Sequence, residues 1–131
     1  LTPGRFDPER IEQVLVNLVH NAVKFTPPGG IITVGAAAED DHLVVWVADT
    51  GPGVAPEDRD RIFERFYKTD RSRADAGTGL GLSIARHLVE LHGGRIWVDG
   101  TARPGTTIKF TLPLALEPAP TGDSTPSAHR A

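Results

Sequence analysis

Three stretches of this chain combine ligand-binding side chains with backbone that a ligand can approach. Asn17, Asn21 and Lys24 sit at i, i+4 and i+7 within the run IEQVLVNLVHNAVKFT of residues 11 to 26. On a helix, that spacing lines up two amides and an ammonium along one stripe. Asparagine is a poor interior helix former, so two in register weaken the helix unless they serve a purpose. An amide oxygen from Asn21 on a rigid helix can complete the shell of a magnesium ion otherwise held by phosphate oxygens and water, and Lys24 can balance phosphate charge. A plain solvated flank is the alternative. The second stretch is Asp49-Thr50-Gly51-Pro52-Gly53. Its carboxylate can accept a hydrogen bond from an exocyclic amine such as that of adenine, while Gly51 and Gly53 let the backbone lie against a flat ring. Asp and Gly are also the commonest turn residues, which leaves an ordinary turn open. The third is Gly77-Thr78-Gly79-Leu80-Gly81-Leu82, which opens a helix and so offers free N–H groups and the positive end of the helix dipole to an anion. It is neither a dinucleotide fingerprint nor a P-loop: no strand precedes it, Leu82 stands where a third glycine belongs, and no Gly-Lys-Ser/Thr follows. A flexible hinge is its alternative. Lys68, Arg71 and Arg73 could also balance phosphate charge, although solubility is the better reading for the two arginines.

Other chemistries find little support. His20 and His87 fall on helices, His42 in a turn, His92 before a helix cap and His129 near the end, so no histidines cluster as metal ligands. Ser83 lies in a helix start without a nucleophile elbow. With no cysteine there is no disulfide framework, thiolate metal site or cysteine nucleophile. The formal net charge of −3, with arginines and carboxylates intermixed, gives no electrostatic support for nucleic-acid or membrane binding. No apolar run is long enough to span a bilayer. The 131 residues suffice for one domain with a two-layer core, and a chain without methionine that starts at Leu1 reads as an excised domain.

The elements that must position these residues follow in order. Asp7-Pro8-Glu9 supplies a cap, a first-turn proline and an acid, so a helix runs from there to about Phe25, where Thr26-Pro27-Pro28-Gly29-Gly30 stops it. Ile11, Leu15, Leu18, Ala22 and Phe25 form its expected buried stripe. Ile31 to Ala37 and Leu43 to Ala48 read as an antiparallel hairpin turning at Glu39-Asp40-Asp41 and delivering Asp49 at its end. Pro56 to Phe66 reads as a short helix anchored by Ile62, Phe63 and Phe66, followed by a loop from Tyr67 to Ala76. A helix from the glycine run to about His92 is closed by Gly93-Gly94. Arg95 to Val98 and Thr106 to Leu112 are the last strands. The second of these has Ile108, Phe110 and Leu112 on one face and Thr107, Lys109 and Thr111 on the other. Residues 1 to 116 thus form one α+β domain, a two-layer α/β sandwich whose mixed, mostly antiparallel sheet is covered on one face by three helices. Residues 117 to 131, rich in Pro, Ala, Ser and Thr, read as a disordered tail.

Taken together, from about Asp7 to Leu114, these motifs resemble the catalytic and ATP-binding domain of bacterial sensor histidine kinases. That domain has the Bergerat fold of the superfamily that also holds type II topoisomerases, heat-shock chaperones and mismatch-repair ATPases. NLVHNAVKF resembles the N box, DTGPGV the first glycine box, IFERFYKTD the F box and GTGLGLSIARHLVELHGGRIWV the second glycine box with its following strand. Four boxes in the family's order are far more specific than any one of them.

The resemblance implies ATP and Mg2+ as cofactors, with Asn21 binding the metal and Asn17 and Lys24 beside the phosphates. Phe25 would take the aromatic position next to the nucleotide, and Asp49 would bind the adenine amine with Gly51 and Gly53 shaping that wall. Gly77, Thr78, Gly79, Leu80, Gly81 and Leu82 would bracket the phosphates, and Thr107 would reach adenine through water. Lys68 stands where many relatives carry arginine, keeping the charge but losing the fork; with Asn17 and Lys24 it would act in transfer. The loop from Tyr67 to Ala76 would be the ATP lid. ATP-hydrolysing members carry a glutamate four residues before the metal asparagine. Asn17 occupies that place and cannot serve as a base, which favours phosphoryl transfer over hydrolysis. The implied partners are a helical-hairpin domain of the same parent bearing the phosphoacceptor histidine, and a response-regulator receiver domain. The implied setting is the cytoplasmic part of a membrane-anchored, dimeric parent, with the isolated domain monomeric. A regulatory nucleotide-binding module without transfer activity and an ATPase of the wider superfamily are the alternatives. Family domains usually begin with strand residues before the first helix, and only Leu1 to Phe6 precede it here. The histidine-bearing hairpin is absent from this sequence, so the chain by itself should not autophosphorylate.

Overall fold

The computed structural model describes residues 6–67, 80–101 and 105–114. Helix α1 spans Pro8–Phe25, and its start follows the sequence signals: the Asp7 side chain accepts from the Glu9 N–H and Pro8 fills the first turn, where no N–H is needed. At the other end Thr26 is extended because the proline after it excludes helical backbone, and both its N–H and its hydroxyl donate to the Ala22 carbonyl. The buried face of α1 is centred on Val14, Leu18 and Ala22, whereas Ile11 and Leu15 are only half-buried at its margin. The expected stripe is therefore rotated by part of a turn toward Val14, the residue that packs deepest.

Strands β1 (Ile32–Glu39) and β2 (His42–Asp49) form the expected hairpin. Its two-residue turn puts Asp40 at φ 49°, a left-handed conformation that Asp tolerates better than most side chains. Between β2 and α2 the chain makes two 3-10 turns, Pro56–Asp58 and Arg61–Phe63, where an α-helix over Pro56 to Phe66 was expected. Neither turn has a side-chain cap, and Phe63 alone of the three expected anchors is fully buried. Ile62 packs at the edge of the core, and Phe66, at φ 63°, is 60% exposed. One buried anchor does not hold an amphipathic helix, and i→i+3 bonding takes its place.

Helix α2 (Gly81–Leu91) buries Ala85, Leu88 and Val89. It ends as the glycine pair suggests, with the Gly93 N–H bonded to the Glu90 carbonyl and the Gly94 N–H to the Val89 carbonyl, a Schellman arrangement that uses φ 80° at Gly93. Strands β3 (Ile96–Val98) and β4 (Thr106–Pro113) complete a four-stranded sheet of order β1-β2-β4-β3, in which every described pairing is antiparallel. The helices cover one face. Val45 and Val47 from β2 and Ile108, Phe110 and Leu112 from β4 meet α1 and α2 there, giving the two-layer α+β architecture that the patterning predicts.

A buried histidine ties the two helices end to end. His92, 4% exposed, accepts the Asp7 N–H at Nε2 (3.2 Å), and its Nδ1 lies 2.8 Å from the Leu88 carbonyl. A donor at one nitrogen and an acceptor at the other select the neutral tautomer with its proton on Nδ1. In the β3–β4 connection, the Thr101 hydroxyl and N–H and the Lys109 ammonium at 3.0 Å hold the Asp99 carboxyl well below the usual carboxylate range.

Candidate nucleotide site

Cross-strand register places the candidate adenine contact. Asp49 is the last residue of β2, and its parity with Val45 and Val47 sends its side chain to the helix-covered face. It is 7% exposed, and its Oδ1 accepts the Gly51 N–H at 2.8 Å, which aims the carboxylate and leaves Oδ2 without a partner among the described residues. Directly opposite Asp49 on β4 stands Thr106. Its parity with Ile108, Phe110 and Leu112 puts it on the same face, and its hydroxyl is buried without a hydrogen-bond partner among the described residues. A buried orphan hydroxyl beside a half-used buried carboxylate is costly unless a ligand or water satisfies both.

Thr107, by contrast, is opposite Ala48 and shares parity with Lys109 and Thr111, on the sheet's other face. Thr106 and not Thr107, the threonine expected at the ligand, therefore shares the face of Asp49. Extending the Ile108, Phe110, Leu112 alternation two places back would have reached Thr106 from sequence.

Two glycines are required by close approach at this end. A Cβ on Gly105 would lie 1.8 Å from the Asp49 carbonyl oxygen, and Gly105 has φ 79°. A Cβ on Gly51 would lie 2.7 Å from the Phe25 carbonyl oxygen, so the end of α1 packs on the loop after Asp49. Gly53, with φ 86°, continues that loop beside the Gly105 carbonyl. A cavity of about 400 Å³ adjoins the loop, lined by Gly53, Val54, Arg59, Val98, Asp99 and Gly105 among others. It includes no residue of α1 or α2.

The helix end is built on α1 and the start of α2. The Asn17 Nδ2 donates to the Gly81 carbonyl at 3.0 Å, and the Gln13 Nε2 donates to the Asn17 Oδ1 at 2.8 Å. Asn21, one turn on and half-buried, makes no side-chain hydrogen bond among the described residues. The two asparagines of the helix stripe thus differ: one is committed to holding α2, and the amide of the other is unengaged among the described residues. The exposed Lys24 ammonium lies 5.3 Å from the centre of the Phe25 ring. Leu80 caps α2 through its backbone, and Leu82 packs at the edge of the core. At Gly81 a Cβ would meet no described atom within 4 Å, so packing gives no reason for glycine there, whereas a ligand lying against the backbone would. Lys68, Gly77, Thr78 and Gly79 lie outside the described residues, as do Arg71 and Arg73.

α1 links the two ends: with a rise of about 1.5 Å per residue, Asn17 and Phe25 stand roughly 12 Å apart along one wall. A ligand with a flat amine-bearing ring at one end and an anionic group at the other suits this layout. Asn21 suits a magnesium ion carried by such an anion, because a single neutral oxygen on a rigid helix is what a phosphate-bound ion still needs.

Residues 6–116 match the family described as histidine kinase-, DNA gyrase B- and HSP90-like ATPases, and the chain belongs to that family. It is 44% identical over 109 residues to the adaptive-response sensory kinase SasA of Trichormus variabilis, covering 82% of this chain and 27% of that protein. It is 44% identical over 115 residues to the sensor histidine kinase WalK of Bacillus subtilis, covering 85% of this chain and 19% of that protein. Among solved structures, the mycobacterial sensor histidine kinase MprB superposes with a TM-score of 0.75 at 37% identity, over 82% of this chain and 74% of that one. Full-length ShkA, solved in complex with AMPPNP, gives 0.71 at 43% identity over 86% of this chain and 23% of that one. Histidine kinase ThkA in complex with the response regulator TrrA gives 0.69 at 34% identity, over 83% of this chain and 30% of that one. This chain therefore corresponds to one part of considerably longer sensor kinases.

Proposed function

We propose that this domain binds magnesium ATP and presents its γ-phosphate to a histidine on a separate helical-hairpin domain of the same parent. The phosphoryl group then passes to an aspartate of a response regulator. Membership of the histidine kinase-, DNA gyrase B- and HSP90-like ATPase family, the similarity to sensor histidine kinases, the AMPPNP held by ShkA and the response regulator bound to ThkA support the reading.

The observation that carries it is the cross-strand pairing of Asp49, whose Oδ2 has no partner among the described residues, with Thr106, whose hydroxyl is a buried orphan on the same face of the sheet. Asp49 would accept from the adenine amine and Thr106 would engage a ring nitrogen directly or through water. Asn21 would hold the magnesium ion, which supplies charge neutralisation on the phosphates. The start of α2 would supply backbone donors, with Lys24 and Lys68 adding positive charge. In the transfer, the γ-phosphorus loses its bond to the bridging oxygen of ADP and gains one to the histidine nitrogen, whose proton leaves to solvent or a neighbouring base. Position 17 holds an amide already bonded on both sides, so no residue there activates water.

Incubating this domain and its Asp49→Asn variant with γ-labelled ATP and the parent's histidine-bearing domain tests the proposal. Label on that histidine, reduced in the variant with affinity weakened by about 1–3 kcal/mol, is expected. Nucleotide binding without label would make the domain a regulatory module, and free phosphate released by the domain alone would make it an ATPase.

A further inference from the structure

We infer that Gln13, which lies outside the four sequence boxes, is a positioning residue for the phosphate end of the pocket, acting through Asn17 on the peptide between Gly81 and Leu82. The inference rests on the nucleotide-binding reading above.

The Gly81 carbonyl can only accept, so the Asn17 nitrogen must face it; the Asn17 oxygen then faces Gln13, whose amide must donate. Both contacts demand the same orientation of the Asn17 amide. Removing Gln13 frees that amide to turn over, and an oxygen turned toward the Gly81 carbonyl would repel it.

The carbonyl of Gly81 and the N–H of Leu82 belong to one planar trans peptide and point in opposite directions. Gripping the oxygen therefore aims the N–H. The ladder of α2 begins with the Ile84 N–H bonded to the Leu80 carbonyl, so the Leu82 N–H is one of the first-turn donors with no intrahelical partner. Gly81 itself has open space in front of it among the described residues. Gln13 thus sets the direction of a donor aimed at the phosphates without touching the nucleotide, and it lies on the surface, four residues before Asn17 on α1.

The test is calorimetric titration of wild type and Gln13→Leu with adenosine, ADP and ATP, each folded state checked by circular dichroism. Gln13→Leu is expected to weaken ADP and ATP about five- to tenfold while adenosine binding stays unchanged. In an Asn17→Ala background, Gln13→Leu should add nothing, because its effect passes through that amide. Gln13→Glu, which also lacks the donor, should lose at least as much as Gln13→Leu. An unchanged ratio of ATP to adenosine affinity, an equal loss for both ligands, or additive effects of the two substitutions would each overturn the inference. Wild type that binds none of the three ligands overturns the nucleotide reading itself, and that outcome is visible before any variant is compared.

Discussion

Asp49 and Thr106 face each other across a hydrogen-bonded ladder, while Asn17 and Asn21 ride one turn apart on a single helix. At the sheet end, position and direction are fixed by register: slipping one residue would send both side chains to the opposite face. At the helix end, α1 supplies position only, and side-chain hydrogen bonds decide what each amide does. Asn17 is held by Gln13 and Gly81, and Asn21 makes no side-chain hydrogen bond among the described residues. A rigid sheet end suits recognition of a flat ring of fixed shape. A helix end with one committed amide and one unengaged among the described residues suits an ion and a flexible chain of phosphates.

The comparison can be broken most severely at Gly105. A Cβ there meets the Asp49 carbonyl and the backbone is left-handed, so Gly105→Ala should cost about 3 kcal/mol of stability or more. Chemical denaturation measures it, and a near-neutral result would mean that the β2–β4 end is far more pliable than its geometry indicates.

Thr106 sharpens the contrast between the two sheet faces. Thr106→Val removes a buried unsatisfied hydroxyl and should stabilise the unliganded domain by about 1 kcal/mol while weakening adenine nucleotides by a similar amount. Thr107→Val should leave nucleotide affinity unchanged. Parallel titrations of the two variants read the difference directly, and the reverse result would restore Thr107 as the ligand-facing threonine.

The smallest effect on stability is expected at the helix end. Asn21→Ala breaks no hydrogen bond among the described residues and improves helix propensity, so the domain should gain about 0.5 kcal/mol. The magnesium-dependent part of ATP affinity should nevertheless fall. Titrations with and without magnesium separate the two, and unchanged magnesium dependence would remove Asn21 from the metal site.

Much of this was legible in the chain. Asp7-Pro8-Glu9, the Thr26-Pro27-Pro28 stop and Gly93-Gly94 fix the ends of α1 and α2 through local chemistry that needs no neighbour. The alternation of Ile108, Phe110 and Leu112 gave the buried face of β4, and the order of four boxes gave the family. Where the reading missed, long-range packing was responsible. Val14 is the most buried residue of α1, in a core cluster shared with α2 and the sheet, and periodicity on one helix cannot reveal where that shared core is centred. Phe66 points to solvent although it is as apolar as Phe63, because the chain turns back at a left-handed residue once Phe63 is seated.

The sequence by itself determined which residues could bind a nucleotide and which short elements carry them, since caps, breakers and periodicity act within a few residues. Only the tertiary structure decided which threonine shares a face with Asp49 and which asparagine is spent on holding the fold. Those answers depend on pairing between strands more than fifty residues apart and on one carbonyl at the start of a second helix, contacts that exist only once the core has closed.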